Sequence, residues 1–517
     1  MELFGNFIKI RGTFCIEEIP KPTGFVIFGA SGDLTFRKLI PSLFGLYEKN
    51  LLPSAFFIIG TARSSLNDET FREKIRDAIL AKNKSSYISN IKSFLEKCYY
   101  VSGDYNDVLL YNSIKKKLET LDKKSKVKIS HVFYMATPPH VYKIIIKHLG
   151  LSRLTKENTK LVQNVRVVVE KPYGHDLESA MDLDRTLKSV LNESQIYRID
   201  HYLGKETVQN ILLFRFANSI FEPIWNRNYI EDVQITVAES IGIEHRAGYF
   251  EKAGLLRDMF QNHMLQMLSL VAMEPPISFN ADRVRDEKVK LLRSIRPFTK
   301  ETIKKDIVRA QYAGGIIDGV EVPAYREEEK VNPKSTIETF IAMKIMIDNW
   351  RWNGVPFYLR AGKRLAKKAS KIVIRFKMVP HSMFSPLTPE DLESNILIFH
   401  VQPDEGISLR ILAKHPGPKL CMDSLEMDFQ YKNVVKGDLP EAYERLLLDC
   451  MLGDQTLFIR HDDMEVSWTL FSPILKIWES DTEGKESSKL LFYPAGSWGP
   501  KESDELLERD GKRWIKI

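Results

Sequence analysis

Gly24-Phe25-Val26-Ile27-Phe28-Gly29-Ala30-Ser31-Gly32-Asp33-Leu34-Thr35 decides the architecture of the first part of this chain. Residues 24–28 are a short apolar run that reads as a buried strand, and Leu39, Leu43 and Leu46 recur at helical spacing beyond the turn. A glycine turn between a strand and a helix is where a dinucleotide pyrophosphate meets helix N-terminal amides. Ala30 and Ser31 separate the two glycines, so the three-glycine fingerprint is incomplete. The same spacing also suits a tight strand-to-helix turn with Asp33 near a cap.

Outward from this turn, strands and helices alternate. Residues 55–60, 132–135 and 165–169 are apolar strands, 195–199 is strand-like, and 69–80 and 177–191 are helical. That alternation implies a parallel sheet covered on both faces. The pattern changes near residue 228. Val233, Ile235 and Val237 alternate with Gln234, Thr236 and Ala238, and Ile372, Ile374 and Phe376 with Val373, Arg375 and Lys377. Residues 395–401, 407–412 and 425–431 add strands, while 255–273 and 441–451 are helices. Alternation with one polar face reads as a largely antiparallel sheet. The expected fold is therefore an α/β Rossmann-type dinucleotide-binding domain over residues 1–200, then an α+β domain over 201–517 with a large, mainly antiparallel sheet.

Composition excludes several classes. A chain of 517 residues exceeds one ordinary core, and 44% hydrophobic with 28% charged residues is that of a soluble globular protein. The net charge of +7 suits anionic metabolites and does not argue for nucleic acid. Lys115, Lys116, Lys117 and the basic run at 123–128 read as a solvated helix face and its loop. Cys15, Cys98, Cys421 and Cys450 lack paired spacing, which disfavours a metal site or a disulfide framework and fits a reducing compartment. No apolar run approaches a membrane span, and residues 1–10 lack a signal-peptide core, so a cytoplasmic protein is expected.

Four segments carry chemistry. Arg198-Ile199-Asp200-His201-Tyr202-Leu203-Gly204-Lys205-Glu206 follows a strand and holds an acid, an imidazole, a phenol and an ammonium within six residues. His, Tyr and Lys together can hold an anion by charge and donated hydrogen bonds. The second strand runs into Gly60-Thr61-Ala62-Arg63; an acid there suits the ribose hydroxyls of NAD, whereas an Arg accommodates the 2′-phosphate of NADP or is simply exposed. Glu170-Lys171-Pro172-Tyr173-Gly174 closes another strand, so Lys171 projects at the carboxyl edge, or the segment is a plain strand-ending turn. His263 lies in a helix rich in Leu and Met, where a satisfied core histidine is the common case. Asp258 is five residues earlier, about 140° around an ideal α-helix, so the two do not share a face, though they could flank a sugar lying across the helix.

In order and content these segments resemble one family, the glucose-6-phosphate dehydrogenases, over residues 24–473. Residues 29–34 resemble its coenzyme turn, 170–174 and 198–206 its substrate signatures, and 257–266 its catalytic helix. Val355-Pro356-Phe357-Tyr358-Leu359-Arg360-Ala361-Gly362-Lys363 and residues 440–449 resemble further family segments. The resemblance implies oxidation of D-glucose 6-phosphate at carbon 1 to 6-phospho-D-glucono-1,5-lactone with hydride transfer to NADP, the first step of the oxidative pentose phosphate pathway. It makes His263 the general base and Asp200 its orienting acid. It assigns the phosphate to His201, Tyr202 and Lys205 with Lys368, the sugar hydroxyls to Lys171, Glu239, Asp258 and Lys363, and a weaker substrate contact to Gln402. It gives the coenzyme to Gly29, Ala30, Ser31, Gly32, Asp33 and Leu34, and the second domain a role in forming a homodimer or homotetramer; with the turn, Arg63 favours NADP, Lys171 at the strand edge completes the coenzyme set, and no metal is expected.

The chain departs from the family's pattern at Lys363-Arg364-Leu365-Ala366-Lys367-Lys368-Ala369, which loosens the assignment of Lys368. Ala369 and Val373 stand where some members carry basic residues for a second, structural NADP, so that site is expected to be absent or altered. Two rivals are another NADP-dependent sugar oxidoreductase of this plan and an inactive regulatory homologue. A phosphate-binding trio argues against the first for unphosphorylated sugars, and the presence of both His263 and Asp200 against the second.

Overall fold

A computed structural model describes residues 18–82, 88–157, 162–418, 421–433, 440–480 and 489–516. Residues 1–10 and Cys15, on which the leader and cysteine readings partly rest, lie outside these.

The first sheet contains β1 (Thr23–Phe28), β2 (Phe56–Ala62), β3 (Cys98–Ser102), β4 (Ile129–Met135), β5 (Val162–Val169) and β6 (Ile196–Ile199). They lie in the order β6-β5-β4-β1-β2-β3, all parallel. Every residue of β1, β2 and β4 is buried, as expected for strands with helices on both faces. The chain runs from β1 outward through β2 and β3, then returns to β4 on the other side of β1. That reversal puts the turn after β1 at a topological switch point, where open α/β sheets bind ligands. The short strand Phe458–Ile459, from far along the chain, pairs antiparallel with β6 and extends the sheet to seven strands.

The second half contains β7 (Ile230–Ala238), β8 (Ile307–Ala313), a small hairpin of β9 (Gly315–Ile317) and β10 (Val320–Val322), then β11 (Phe340–Met346), β12 (Pro356–Gly362), β13 (Ala369–Phe376), β14 (Ile396–Gln402), β15 (Gly406–Lys414) and β16 (Met422–Gln430). With Phe458–Ile459 as β17, the last strand is β18 (Leu491–Pro494). Nine of these form one sheet, β16-β15-β14-β13-β7-β12-β11-β8-β18. Its pairs are antiparallel except β7 with β12 and β8 with β18. The polar residues of β7 do not face water: Gln234 is 2% and Thr236 4% exposed. The end of the chain covers them, because Gln234 donates to the Arg513 carbonyl at 3.0 Å and accepts from the Ile515 amide at 2.9 Å. Trp514 lies on this face with its ring 4.1 Å from the Arg360 guanidinium.

The single helix expected over residues 255–273 is three pieces. Gly254 leaves the helical region (φ 65°, ψ 173°) near the end of Ala247–Leu255, Leu256–Met264 is π-wound, and Leu265–Ala272 is regular α-helix. The helix His461–Ser480 packs on both Leu177–Lys188 and Ala281–Arg293, and its Trp468 indole donates to the Tyr173 carbonyl at 3.0 Å. One apolar core runs through both halves.

Candidate active site

β5 and β6 are neighbours and run parallel, so their carboxyl ends place Lys171 and Asp200 side by side. The π-wound stretch crosses in front of them. In a π-helix the hydrogen bond runs from i to i+5, so residues five apart fall on one face. This corrects the expectation from ideal α-geometry. Asp258 and His263 converge on one group: Lys171 Nζ lies 3.2 Å from Asp258 Oδ1 and 2.6 Å from His263 Nε2.

The other ring nitrogen, His263 Nδ1, meets Asp200 Oδ1 at 2.5 Å. An ammonium only donates, so Nε2 is the acceptor and Nδ1 carries the proton given to Asp200. Both side chains are 1% exposed. Burial pushes the His263 imidazole below its ordinary range, against the upward pull of Asp200. Burial also raises the Asp200 carboxyl, but the charge and hydrogen bond of His263 outweigh it and hold it down at about 2. The pair is thus a neutral imidazole against a carboxylate near neutral pH. The Tyr202 ring stacks on the imidazole at 4.4 Å and His201 meets it edge-on at 4.6 Å. Burial pushes His201 well below the imidazole range, so it too is neutral.

Around this centre lie three further sets of groups. Lys205 donates to Gln402 Oε1 and sits 4.8 Å from the Tyr202 ring centre, while Gln402 donates to Ser370 Oγ at 2.9 Å. Burial lowers Lys205 to about 8. Lys368 is exposed and lines a cleft of about 370 Å³ together with Gln402. Lys363 donates to Glu239 Oε2 at 2.6 Å. Burial would raise Asp258, but the charges of Lys171 and then Lys363 hold it well below the usual carboxylate range.

Sequence reasoning missed several participants. The Tyr249 hydroxyl donates to Asp258 Oδ1 at 3.1 Å. Glu170, immediately before Lys171, is buried and accepts from Tyr134 at 2.6 Å and Tyr443 at 3.1 Å. Tyr134 and Tyr443 reach Glu170 from distant segments and Tyr249 reaches Asp258 across the break at Gly254, so no local spacing announces them; only the apolar strand ending in Glu170 signals that this carboxyl must find donors.

At the turn after β1, Gly29 has φ 86°, and a Cβ there would lie 2.2 Å from the Ala136 carbonyl oxygen. The turn therefore lies close against the end of β4. Asp33 pairs with Arg37 at 2.8 Å, one helical turn on, instead of capping the helix. Arg63 is exposed just past β2, and Ser64 Oγ donates to Ser31 Oγ at 3.0 Å, joining the two loops. Asp200, His201 and His263 offer ligand atoms within 4.8 Å of one another, but Lys171 Nζ already occupies the His263 Nε2 lone pair and opposes a cation.

The family model for the glucose-6-phosphate dehydrogenase NAD binding domain matches residues 26–210, and that for the glucose-6-phosphate dehydrogenase C-terminal domain matches residues 212–515. Glucose-6-phosphate 1-dehydrogenase of Treponema pallidum is 46% identical over 98% of this chain and 96% of its own length, and that of Bacillus subtilis 42% over 95% and 98%. A solved glucose-6-phosphate dehydrogenase in complex with its substrate glucose-6-phosphate superposes with a TM-score of 0.87 at 38% identity, covering 96% of this chain and 99% of that one. The glucose-6-phosphate 1-dehydrogenase structure from Mycobacterium avium gives 0.80 at 33%, with the same coverage. Matched in both halves and over nearly its full length, the chain belongs to the glucose-6-phosphate dehydrogenase family.

Proposed function

We infer that this protein oxidises D-glucose 6-phosphate at carbon 1 to 6-phospho-D-glucono-1,5-lactone and reduces NADP. The observation that carries this reading is the orientation of His263, with Nδ1 held on Asp200 and the Nε2 lone pair turned to the polar side of the site. Such an imidazole can take the proton of the carbon 1 hydroxyl, and Asp200 stabilises the imidazolium that forms. Lys171 must release Nε2 to the hydroxyl and keeps Asp258 as its partner. Lys171, Glu239, Asp258 and Lys363 would hold sugar hydroxyls, His201, Tyr202 and Lys205, with Lys368, would hold the phosphate, and Gln402 would be a weaker substrate contact. Holding the remote phosphate positions carbon 1 for reaction.

The turn fits a dinucleotide, because the missing Cβ at Gly29 lets the loop close against Ala136. Gly29, Ala30, Ser31, Gly32, Asp33 and Leu34 would hold NADP, Arg63 would take its 2′-phosphate and Lys171 would stand at the nicotinamide end. When bound, NADP supplies the acceptor for the carbon 1 hydride. The edge strand β16, with Leu425 and Met427 about half exposed, supports pairing with a second copy into a homodimer or homotetramer. No described helix is long and apolar enough to cross a membrane, and Cys98, Cys421 and Cys450 are unpaired, which fits the cytoplasm.

Lys205→Ala tests the substrate half. It removes a charge-assisted contact to phosphate, so the KM for glucose 6-phosphate is expected to rise about 10- to 100-fold with the KM for NADP nearly unchanged. Equal loss of both points to misfolding instead. The charged form of Lys205 binds phosphate, so kcat/KM in the wild type falls as pH rises through about 8, and Lys205→Arg moves that limb to higher pH. Arg63→Ala tests the coenzyme half: the KM for NADP rises about tenfold or more while that for NAD barely moves. Parallel changes in the two exclude Arg63 as the reader of the 2′-phosphate.

A further inference from the structure

The helix that carries Asp258 and His263 begins without a local cap. Gly254 turns the backbone out of the helical region, so the amides of Leu255 and Leu256 open a new segment, and neither Ala253 nor Gly254 has a side chain able to accept from them. Both amides find Glu338, in the segment leading into β11. Leu255 N–H donates to the Glu338 carbonyl at 3.3 Å and Leu256 N–H to its Oε1 at 2.9 Å. Gly254 itself is shaped to this contact, since a Cβ there would lie 2.6 Å from Glu338 Oε1. Glu338 is 5% exposed and Leu256 fully buried, so the bond has no ready replacement from bulk water. The next residue continues the same role on the substrate side: the Thr339 carbonyl accepts from the Lys363 amide at 3.0 Å. The Tyr493 hydroxyl closes the arrangement on the Lys363 carbonyl at 2.6 Å.

We propose that Glu338 is a positioning residue for the reaction: it caps the helix of Asp258 and His263 from outside and so fixes His263 against Asp200. Its side chain bonds none of the residues assigned to substrate or coenzyme, so it acts through the helix. This rests on His263 being the base.

Glu338→Met keeps the length of the side chain and removes the acceptor, whereas Glu338→Gln keeps an acceptor oxygen. With glucose 6-phosphate and NADP, Glu338→Met is expected to lower kcat about tenfold or more, because small displacements of positioned groups carry costs up to about 100-fold. The KM for NADP stays near the wild-type value, and Glu338→Gln recovers most of kcat. Hydrogen exchange on the same proteins supplies a reading independent of activity: amides of residues 255–264 lose protection in Glu338→Met while β1 and β4 keep theirs. Wild-type kcat and protection in Glu338→Met overturn the proposal, as does a loss shared by all strands and both Michaelis constants. A wild-type protein inactive on glucose 6-phosphate fails the base assignment itself, and the exchange result then stands apart from it.

Discussion

Replacing His263 with Asn is expected to lower turnover by about 10²- to 10⁴-fold, the usual range for loss of a general base. The side chain offers one function that nothing nearby can replace. Its Nε2 lone pair is basic and neutral at working pH because burial depresses the imidazole pKa. His201, the nearest other imidazole, is also pushed down by burial, and the carboxylate oxygen of Asp200 that would orient a base is held by His263 Nδ1. Asn can still donate to Asp200, so the acid keeps a partner and the fold is expected to survive. Thermal unfolding and NADP binding close to wild type, with turnover lost, is the expected pattern. The acid limb of the kcat/KM profile, which in the wild type lies below the ordinary imidazole range, disappears with the base. Turnover within a few-fold of wild type would sink the assignment.

Asp200→Asn is expected to cost nearly as much, about 10³- to 10⁴-fold in kcat, by analogy with other carboxylate–histidine pairs. The loss has two sources. An amide can donate to His263 Nδ1, which moves the imidazole proton to Nε2 and turns the base into a donor facing Lys171. It also removes the negative charge that stabilises the imidazolium. The sign of the pH effect follows. Asp200 raises the His263 pKa, so its removal lowers that pKa further. The residual acid limb of kcat/KM therefore shifts to lower pH while the plateau falls. A limb that moves to higher pH, or a kcat like that of the wild type, contradicts the pairing.

Much of this was legible in the residues, and for identifiable reasons. The run from Gly24 to Thr35 exposes its strand, turn and helix in sequence because a fully buried strand must be continuously apolar. Asp200, His201, Tyr202 and Lys205 lie within six residues, so one segment brings four of the site's polar groups together. The relation of Asp258 to His263 differs from the α-helical expectation because the helix is π-wound, and winding of that kind leaves no mark in apolar periodicity. The cover over the polar face of β7 leaves no mark in the strand's own alternation, because the segment that supplies it, around Trp514, is nearly 280 residues away and offers backbone partners. Tyr249, Glu338 and the Tyr134–Glu170–Tyr443 contacts were invisible for the same reason: each is a pair of residues distant in sequence or separated by a helix break, with no spacing rule to join them.

The most direct test is the initial rate of NADPH formation, followed by absorbance, with glucose 6-phosphate and with glucose as alternative substrates of the wild-type protein. The arrangement of His201, Tyr202 and Lys205 beside His263 predicts rapid formation from glucose 6-phosphate and a far lower kcat/KM for glucose. No NADPH from glucose 6-phosphate, or equal rates from the two sugars, would contradict it.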